Sequence, residues 1–518
     1  MLTKRFRPTV GIAIVAFIIL FTVMLAFISL FSAGNDSGYW TAPKDSGNQA
    51  IAAAPVQAQA QNATTPAVQL GPVLTPTPDE AHSLPPLRME PKNYVIQAGD
   101  SLGSIARENG VSVDMLVQEN SISNPDLISV GQGLVIPAPT PSGTGPSFKV
   151  IPDSELVYGP ASASFDIAGF LQSQGGFLAS YYEEVDGVSQ TGAQVIQRVA
   201  DDFSVNPRLL LAVLEYQSGW VTKRDIPETE RDYPVGLQDQ WRKGLYKQTA
   251  WAANQLNRGF YLWRVNGVAA WLLADSSLVA VNPTINAGTA GVQNLFSGIE
   301  GRPDWERAVS ESGLFATYVR LFGYPFNQAV EPLLPPDLAQ PTLQLPFEPG
   351  KSWAFTGGPH GGWADGSAWA ALDFAPPGDA LGCVQSDDWV TAMADGQIVR
   401  TGNGAVIQDL DGDGLEQTGW SVLYMHIETR DRVQPGTFLK AGDRVGHPSC
   451  EGGVSSGTHT HLARKYNGEW IPADQDLPFV LDGWVSHGNG YEYDGTLTKD
   501  GQVVEAYAGR SETNGIQR

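Results

Sequence analysis

Two of the chain's seven histidines, His459 and His461, stand with one residue between them in Gly457-Thr458-His459-Thr460-His461-Leu462. On a strand, successive side chains point to opposite faces, so these two imidazoles share one. A pair on one rigid face suits a metal ligand beside an acid/base, provided the remaining ligands lie elsewhere in the chain. From about Leu343 onward the sequence is built for strands, with short alternating runs broken by Gly and Pro. "WVTAMADGQIVRTGNGAVIQDLDGDG" reads as strand, Asp-Gly turn, strand and loop, and "WSVLYMHI" as a further alternating strand. Three more polar residues in this block need a reason. His360 sits in the Gly-rich "FTGGPHGGW", Asp373 in an otherwise apolar segment, and His426 at the end of "LYMHI". A lone Asp or His on an apolar strand is more often a satisfied core residue than a ligand. Five together shift that balance. His447, between Gly446 and Pro448, reads as a surface loop residue.

Composition bounds the rest. A length of 518 residues suggests roughly three domains. A formal net charge of -23 argues against a nucleic-acid partner. Lys4, Arg5 and Arg7 precede an uncharged run from Thr9 to Phe31. As a helix that run is roughly 35 Å long, enough for a hydrocarbon core of about 30 Å. It reads as a membrane anchor with the rest of the chain outside; the rival is a signal peptide cleaved near Ser32-Ala33-Gly34. The Ala, Gln, Thr and Pro that follow cannot bury enough apolar surface to order themselves and read as a spacer.

The next block resembles a LysM module: "YVIQAGDSLGSIA", then Leu116 and Asn120 as "L-x-x-x-N", then "VGQGLVIP". The resemblance implies a βααβ fold that binds N-acetylglucosamine-containing glycans such as peptidoglycan. Beyond a Pro/Ser/Gly linker the spacing turns helical, with many Trp and Tyr. Here "SVNPRLLLAVLEYQSGW" and "NAGTAGVQNLF" resemble segments of lytic transglycosylases with a lysozyme-like fold. Gln217 occupies the position where that family carries its catalytic Glu, and an amide has no proton to give a glycosidic oxygen. Two residues along a helix turn Glu215 away from that position. The domain therefore reads as a degenerate, non-catalytic glycan-binding or spacing unit.

In the C-terminal block, "GGPH", "SAWAALDF", "DGQIV", "YMH" and "GTHTH" occur in the order of the lysostaphin-type and β-lytic zinc metalloendopeptidases, and the block resembles the β-lytic branch. The commoner branch places its His four residues before the Asp, where this chain has Trp369. The resemblance implies that His360, Asp373 and His461 bind one zinc ion and leave a fourth position open. It implies His459 as general base, with His426 stabilising the oxyanion or sharing the proton work. The two cysteines, Cys383 and Cys450, suggest one bridge in an exported chain, with two buried thiols as the alternative. Asp409, Asp411 and Asp413 look like the start of a calcium loop, but Trp420 stands where an EF-hand needs its Glu, so a solvated Asp-rich loop is the reading and calcium is not expected.

The expected organisation is a cytoplasmic tip and transmembrane anchor (1–33), a disordered linker (34–92), a LysM domain (93–138), a linker (139–160) and an all-α lysozyme-like domain (161–335). A β-rich metallopeptidase domain with an antiparallel sheet (343–480) and a C-terminal extension with a hairpin and no visible chemistry (481–518) complete it. The function expected is zinc-dependent hydrolysis of peptidoglycan peptide cross-links at the outer face of a cell membrane, or outside the cell after signal cleavage. The alternative is a non-catalytic wall-binding scaffold or an activator of other wall hydrolases.

Overall fold

The computed structural model describes residues 81–518. Its first unit is a strand–helix–helix–strand module: Lys92–Val95, Leu102–Glu108, Val113–Glu119 and Gly133–Ile136. The two strands pair antiparallel with Tyr94 opposite Leu134. Ser112 caps the second helix by accepting from the Met115 amide. Asn120 explains its place at the end of that helix: its side chain exchanges two 2.7 Å hydrogen bonds with the backbone of Val135. Ile96, Leu102, Ile105, Leu116, Leu134 and Ile136 form a small separate core.

The middle unit is helical but not all-α, which corrects the sequence expectation. It holds two antiparallel hairpins, Tyr182–Val185 with Val188–Thr191 and Ala270–Leu272 with Leu278–Ala280. The first turns at Asp186-Gly187, both at positive φ, as a two-residue hairpin turn requires. Helix Gly192–Phe203 starts in a capping box between Thr191 and Gln194. Helix Pro207–Ser218 begins with Asn206 as cap and Pro207 in the first turn, and ends on Gly219 in the left-handed region. The long helix Leu245–Arg264 packs on Ala287–Ser297.

The expected fold class also included a membrane-spanning helix, and this is corrected: among the described residues no helix is long and apolar enough to cross a membrane. The segment on which that reading rested, Thr9–Phe31, lies outside the described residues, as does most of the 34–92 linker.

The C-terminal unit is a nine-stranded sheet whose paired neighbours all run antiparallel. Its central order is Ala405–Asp409, Trp420–Met425, Thr460–Tyr466, Ala371–Ala375, Ser352–His360 and, at the edge, Gly515–Gln517. The extension beyond 480 therefore contributes to the same sheet. Alternation along the strands makes two cores. Val406, Val422, Tyr424, Leu462, Leu372 and Phe374 face one side. Ala405, Ile407, Leu423, Met425, Ala463 and Ala371 face the other and merge into the core of the helical unit. Burying a side chain the size of Leu423 or Ile407 contributes roughly 1.5–3 kcal/mol, so the helical unit is a structural layer of the sheet. The turn Asn467-Gly468 and the adjoining Trp470 enter that layer; the Trp470 amide donates to Tyr261 Oη at 2.9 Å.

Candidate metal centre and active site

Register brings the candidate ligands together. His461 lies opposite Asp373 on one side and Met425 on the other. His360 lies opposite Ala371, two residues from Asp373 and on the same face, where irregular pairing at Gly357 bends its strand. A Cβ on Gly357 would stand 2.7 Å from Asp373 Oδ2, so only glycine leaves room for the carboxylate. This face is the one the helical unit covers, and the residues stand at the edge of that cover. A cleft of about 670 Å³ opens there, lined by the five sequence-predicted polar residues among others.

His360 Nε2 and His461 Nδ1 are each 3.3 Å from Asp373 Oδ1 and 2.9 Å from each other. The opposite ring nitrogens are engaged by backbone carbonyls: His360 Nδ1 donates to Gly358 at 2.8 Å and His461 Nε2 to Gly362 at 3.1 Å. With those protons so placed, the two inward nitrogens carry lone pairs and cannot share a hydrogen bond with each other. Asp373 Oδ1 is buried and accepts no hydrogen bond. Three lone-pair donors thus converge on one point with no proton between them, and such a set calls for a cation. A tetrahedral ion with bonds of about 2.0–2.1 Å separates its ligand atoms by roughly 3.3 Å, so the residues fit zinc. Electrostatics agree. Burial pushes the Asp373 carboxyl up, yet His360 and His459 outweigh it and hold the group well below the usual carboxylate range. The ionised carboxylate draws positive charge to the centre.

The two remaining histidines stand beside this trio. His459 Nδ1 donates to Gly457 O at 2.7 Å, with Ser455 Oγ at 3.2 Å, which leaves Nε2 an acceptor 3.7 Å from Asp373 Oδ2. His426 packs on His459 with ring centroids 4.4 Å apart, and its Nδ1 donates to Glu451 O at 3.1 Å. Burial, with His459 and His461 adding, drives His426 well below the usual imidazole range, so it is neutral. It follows directly on strand Trp420–Met425 at φ +63°, a left-handed conformation that side-chain-bearing residues seldom hold.

Sequence reasoning misses the contribution of the C-terminal extension. Tyr493 lies on the His360 ring, centroids 4.2 Å apart and planes 21° from parallel. Glu492 accepts from the Gly361 amide at 3.3 Å. The only sequence signal is the aromatic and acidic cluster "YEYD" in a segment that otherwise reads as a hairpin. His447, expected in a surface loop, is buried against Trp389, and its Nδ1 donates to Asp388 O. Cys383 and Cys450 are bonded, with Cα atoms 5.7 Å apart. The bridge ties the loop carrying Leu381 and Gly382 to the segment leading into His459, two walls of the cleft.

The other singled-out residues lie away from the cleft. Gln217 donates from Nε2 to Glu300 at 3.1 Å, and Glu215 is buried against Arg320 and Thr222. Asp409, Asp411 and Asp413 cluster in their loop. The Asp409 carboxylate there is taken up by the amides of Asp411, Gly412 and Gly414.

Two family models match the chain: the LysM domain over residues 94–137 and the LasA N-terminal domain over residues 149–335. The second falls on the region that resembled a lysozyme-like domain. Protease LasA of Pseudomonas aeruginosa (strain UCBPP-PA14) is 23% identical over 343 residues, 62% of this chain and 74% of that protein. Beta-lytic metalloendopeptidase of Achromobacter lyticus is 28% identical over 214 residues, 39% of this chain and 52% of that protein. Among solved structures, the M23 metalloprotease pseudoalterin from the deep sea is 23% identical with a TM-score of 0.28, covering 35% of this chain and all of that one. The catalytic domain of lysostaphin from Staphylococcus simulans is 23% identical with a TM-score of 0.18, covering 24% and 88%. The likenesses to protease LasA and beta-lytic metalloendopeptidase, with the LysM match, support a metallopeptidase that carries a LysM domain.

Proposed function

We propose that this protein is a zinc-dependent endopeptidase that hydrolyses peptide cross-links of peptidoglycan. The observation that carries the reading is the convergence of His360 Nε2, Asp373 Oδ1 and His461 Nδ1, unshared by any proton, beside two further histidines in one cleft. Held by these three residues, zinc would supply Lewis acidity to an attacking water and to the scissile carbonyl. His459, its Nδ1 proton fixed on Gly457, uses Nε2 to take the proton of that water and return it to the leaving amine. His426 has its proton fixed on Glu451, so its inner nitrogen is an acceptor too. That favours shared proton work over direct oxyanion donation. Gly358 and Gly362 hold the ligand imidazoles in the tautomers that expose a lone pair.

The LysM domain would bring the cleft to glycan and raise the local concentration of peptide stems. N-acetylmuramoyl-L-alanine amidase XlyA of Bacillus subtilis, 44% identical over 62 residues, supports that partner. The Cys383–Cys450 bridge supports action outside the cytoplasm. The middle unit, with an amide at Gln217 and Glu215 tied to Arg320, acts as a non-catalytic layer.

The test is metal analysis of purified protein together with mass spectrometry of fragments from digested peptidoglycan, with His461→Ala alongside. One zinc per chain and new amino termini from cut cross-links are expected, and both vanish in the variant. A protein that binds no zinc, or a His461→Ala variant that cuts as well as wild type, would remove the reading.

A further inference from the structure

The loop between the two ligand strands, Gly361–Ser367, does two jobs. Inward, its Gly362 carbonyl receives the His461 ring proton and so sets which nitrogen faces the centre. Outward, it meets the helical unit where the Trp363 ring packs on Phe203, and it is hydrogen-bonded to that unit at Asn254. Asn254, on helix Leu245–Arg264, accepts from the Gly366 amide through Oδ1 at 2.9 Å and donates from Nδ2 to Asp365 Oδ1 at 2.6 Å. The approach is close: a Cβ on Gly366 would stand 2.1 Å from the Asn254 carbonyl oxygen. The loop is also tied to itself, Trp363 N to Ser367 Oγ at 2.9 Å and Gly362 N to Ala368 O at 3.0 Å, so a shift at Gly366 is passed to Gly362.

We infer that Asn254 is a positioning residue for the metal centre: through Asp365 and Gly366 it fixes the loop whose Gly362 carbonyl orients His461. The helical unit, which offers no catalytic acid at Gln217, thereby takes part in the site from outside it. Both ends of one side-chain amide are used, so neither a carboxylate nor an apolar group replaces it. Groups that orient a metal-bound His typically change metal affinity 10–100-fold when lost. Asn254 acts one residue further out, so the lower end of that range applies.

The inference rests on the proposed zinc site, and its test is read without peptidoglycan. Asn254→Asp sets two carboxylates against each other. We expect faster amide hydrogen exchange across Gly361–Ser367 in the metal-free protein and a zinc Kd, from chelator competition, raised about tenfold. Asp365→Asn alone keeps an acceptor for Asn254 and stays near wild type. The exchanged pair Asn254→Asp/Asp365→Asn restores a donor opposite an acceptor and brings exchange and Kd back to within about twofold of wild type, which a general loss of packing would not allow. Should Asn254→Asp fail to fold, recovery or its absence in the exchanged pair still decides the matter. Wild-type exchange and Kd in folded Asn254→Asp, or no recovery in the exchanged pair, overturns the inference. A protein that shows the expected exchange and zinc binding yet cuts no cross-links removes the peptidase reading alone.

Discussion

Ser204, at the end of a helix in the middle unit, donates its hydroxyl to the carbonyl of Gly468 at 2.6 Å, and Gly468 lies in the turn that leaves the His461 strand. Gly468 has φ +78°, and a Cβ there would stand 2.1 Å from the Tyr158 carbonyl oxygen. Gly468→Ala therefore adds backbone strain and overpacking at one point of the interface. A loss of about 2–4 kcal/mol is expected in urea unfolding, and a loss below about 1 kcal/mol would show that the two units are less tightly joined than the shared core indicates.

The ligand set separates His360 from its sequence rival. Trp369 stands where the commoner branch carries its His. His360→Ala removes one of three converging donors and is expected to lower zinc affinity by at least about a hundredfold, beyond the range for losing an orienting partner. Calorimetric titration of the purified variant reads this directly, and unchanged affinity would mean that another residue completes the site.

A charge cluster at the unit interface sets a pH dependence. Burial pushes the Asp201 carboxyl up to about 7, with Glu416 and Asp202 adding and Arg400 opposing. An unfolded Asp titrates near 3.9. Between about pH 4 and pH 7 the folded chain thus holds a proton that the unfolded chain has released, and stability falls as pH rises across that window, by roughly 1.4 kcal/mol per pH unit at most. Asp201→Asn flattens the slope, leaving the part that comes from the other buried carboxyls such as Asp202 and Glu469. Unfolding free energies at pH 5, 6 and 7 for both proteins check the sign; parallel curves would rule it out.

The disulfide closes a loop with a sequence separation of 67. In the chain-entropy view this is worth about 4 kcal/mol. Replacing both cysteines by serine is expected to lower the melting temperature by several degrees and to speed hydrogen exchange in the two cleft walls at Gly382 and Gly457. An unchanged melting temperature would contradict it.

The five polar residues of the site are legible because each sits in a short local context of glycines or alternating strand residues, and register alone then gathers them. The hairpin at Asp186-Gly187 carries its own turn dipeptide, but the helical apolar stripes around it mask the signal. What sequence does not disclose depends on packing between distant segments. Nothing near Gly468 announces Ser204. Nothing in the Leu245–Arg264 helix announces Asp365. Tyr493 reaches His360 because its backbone is hydrogen-bonded to Gly358 and Pro359, far away in sequence. His447 misleads for a related reason: a Gly–His–Pro context looks like a surface loop until Trp389 covers it.

His426 holds a left-handed backbone at the end of a strand, a conformation that costs about 1–3 kcal/mol for a residue with a side chain. Glycine would relieve it. Any programme of stabilising substitutions that scores folding alone would select glycine at this position early. It would return a more robust protein with one imidazole fewer in the cleft.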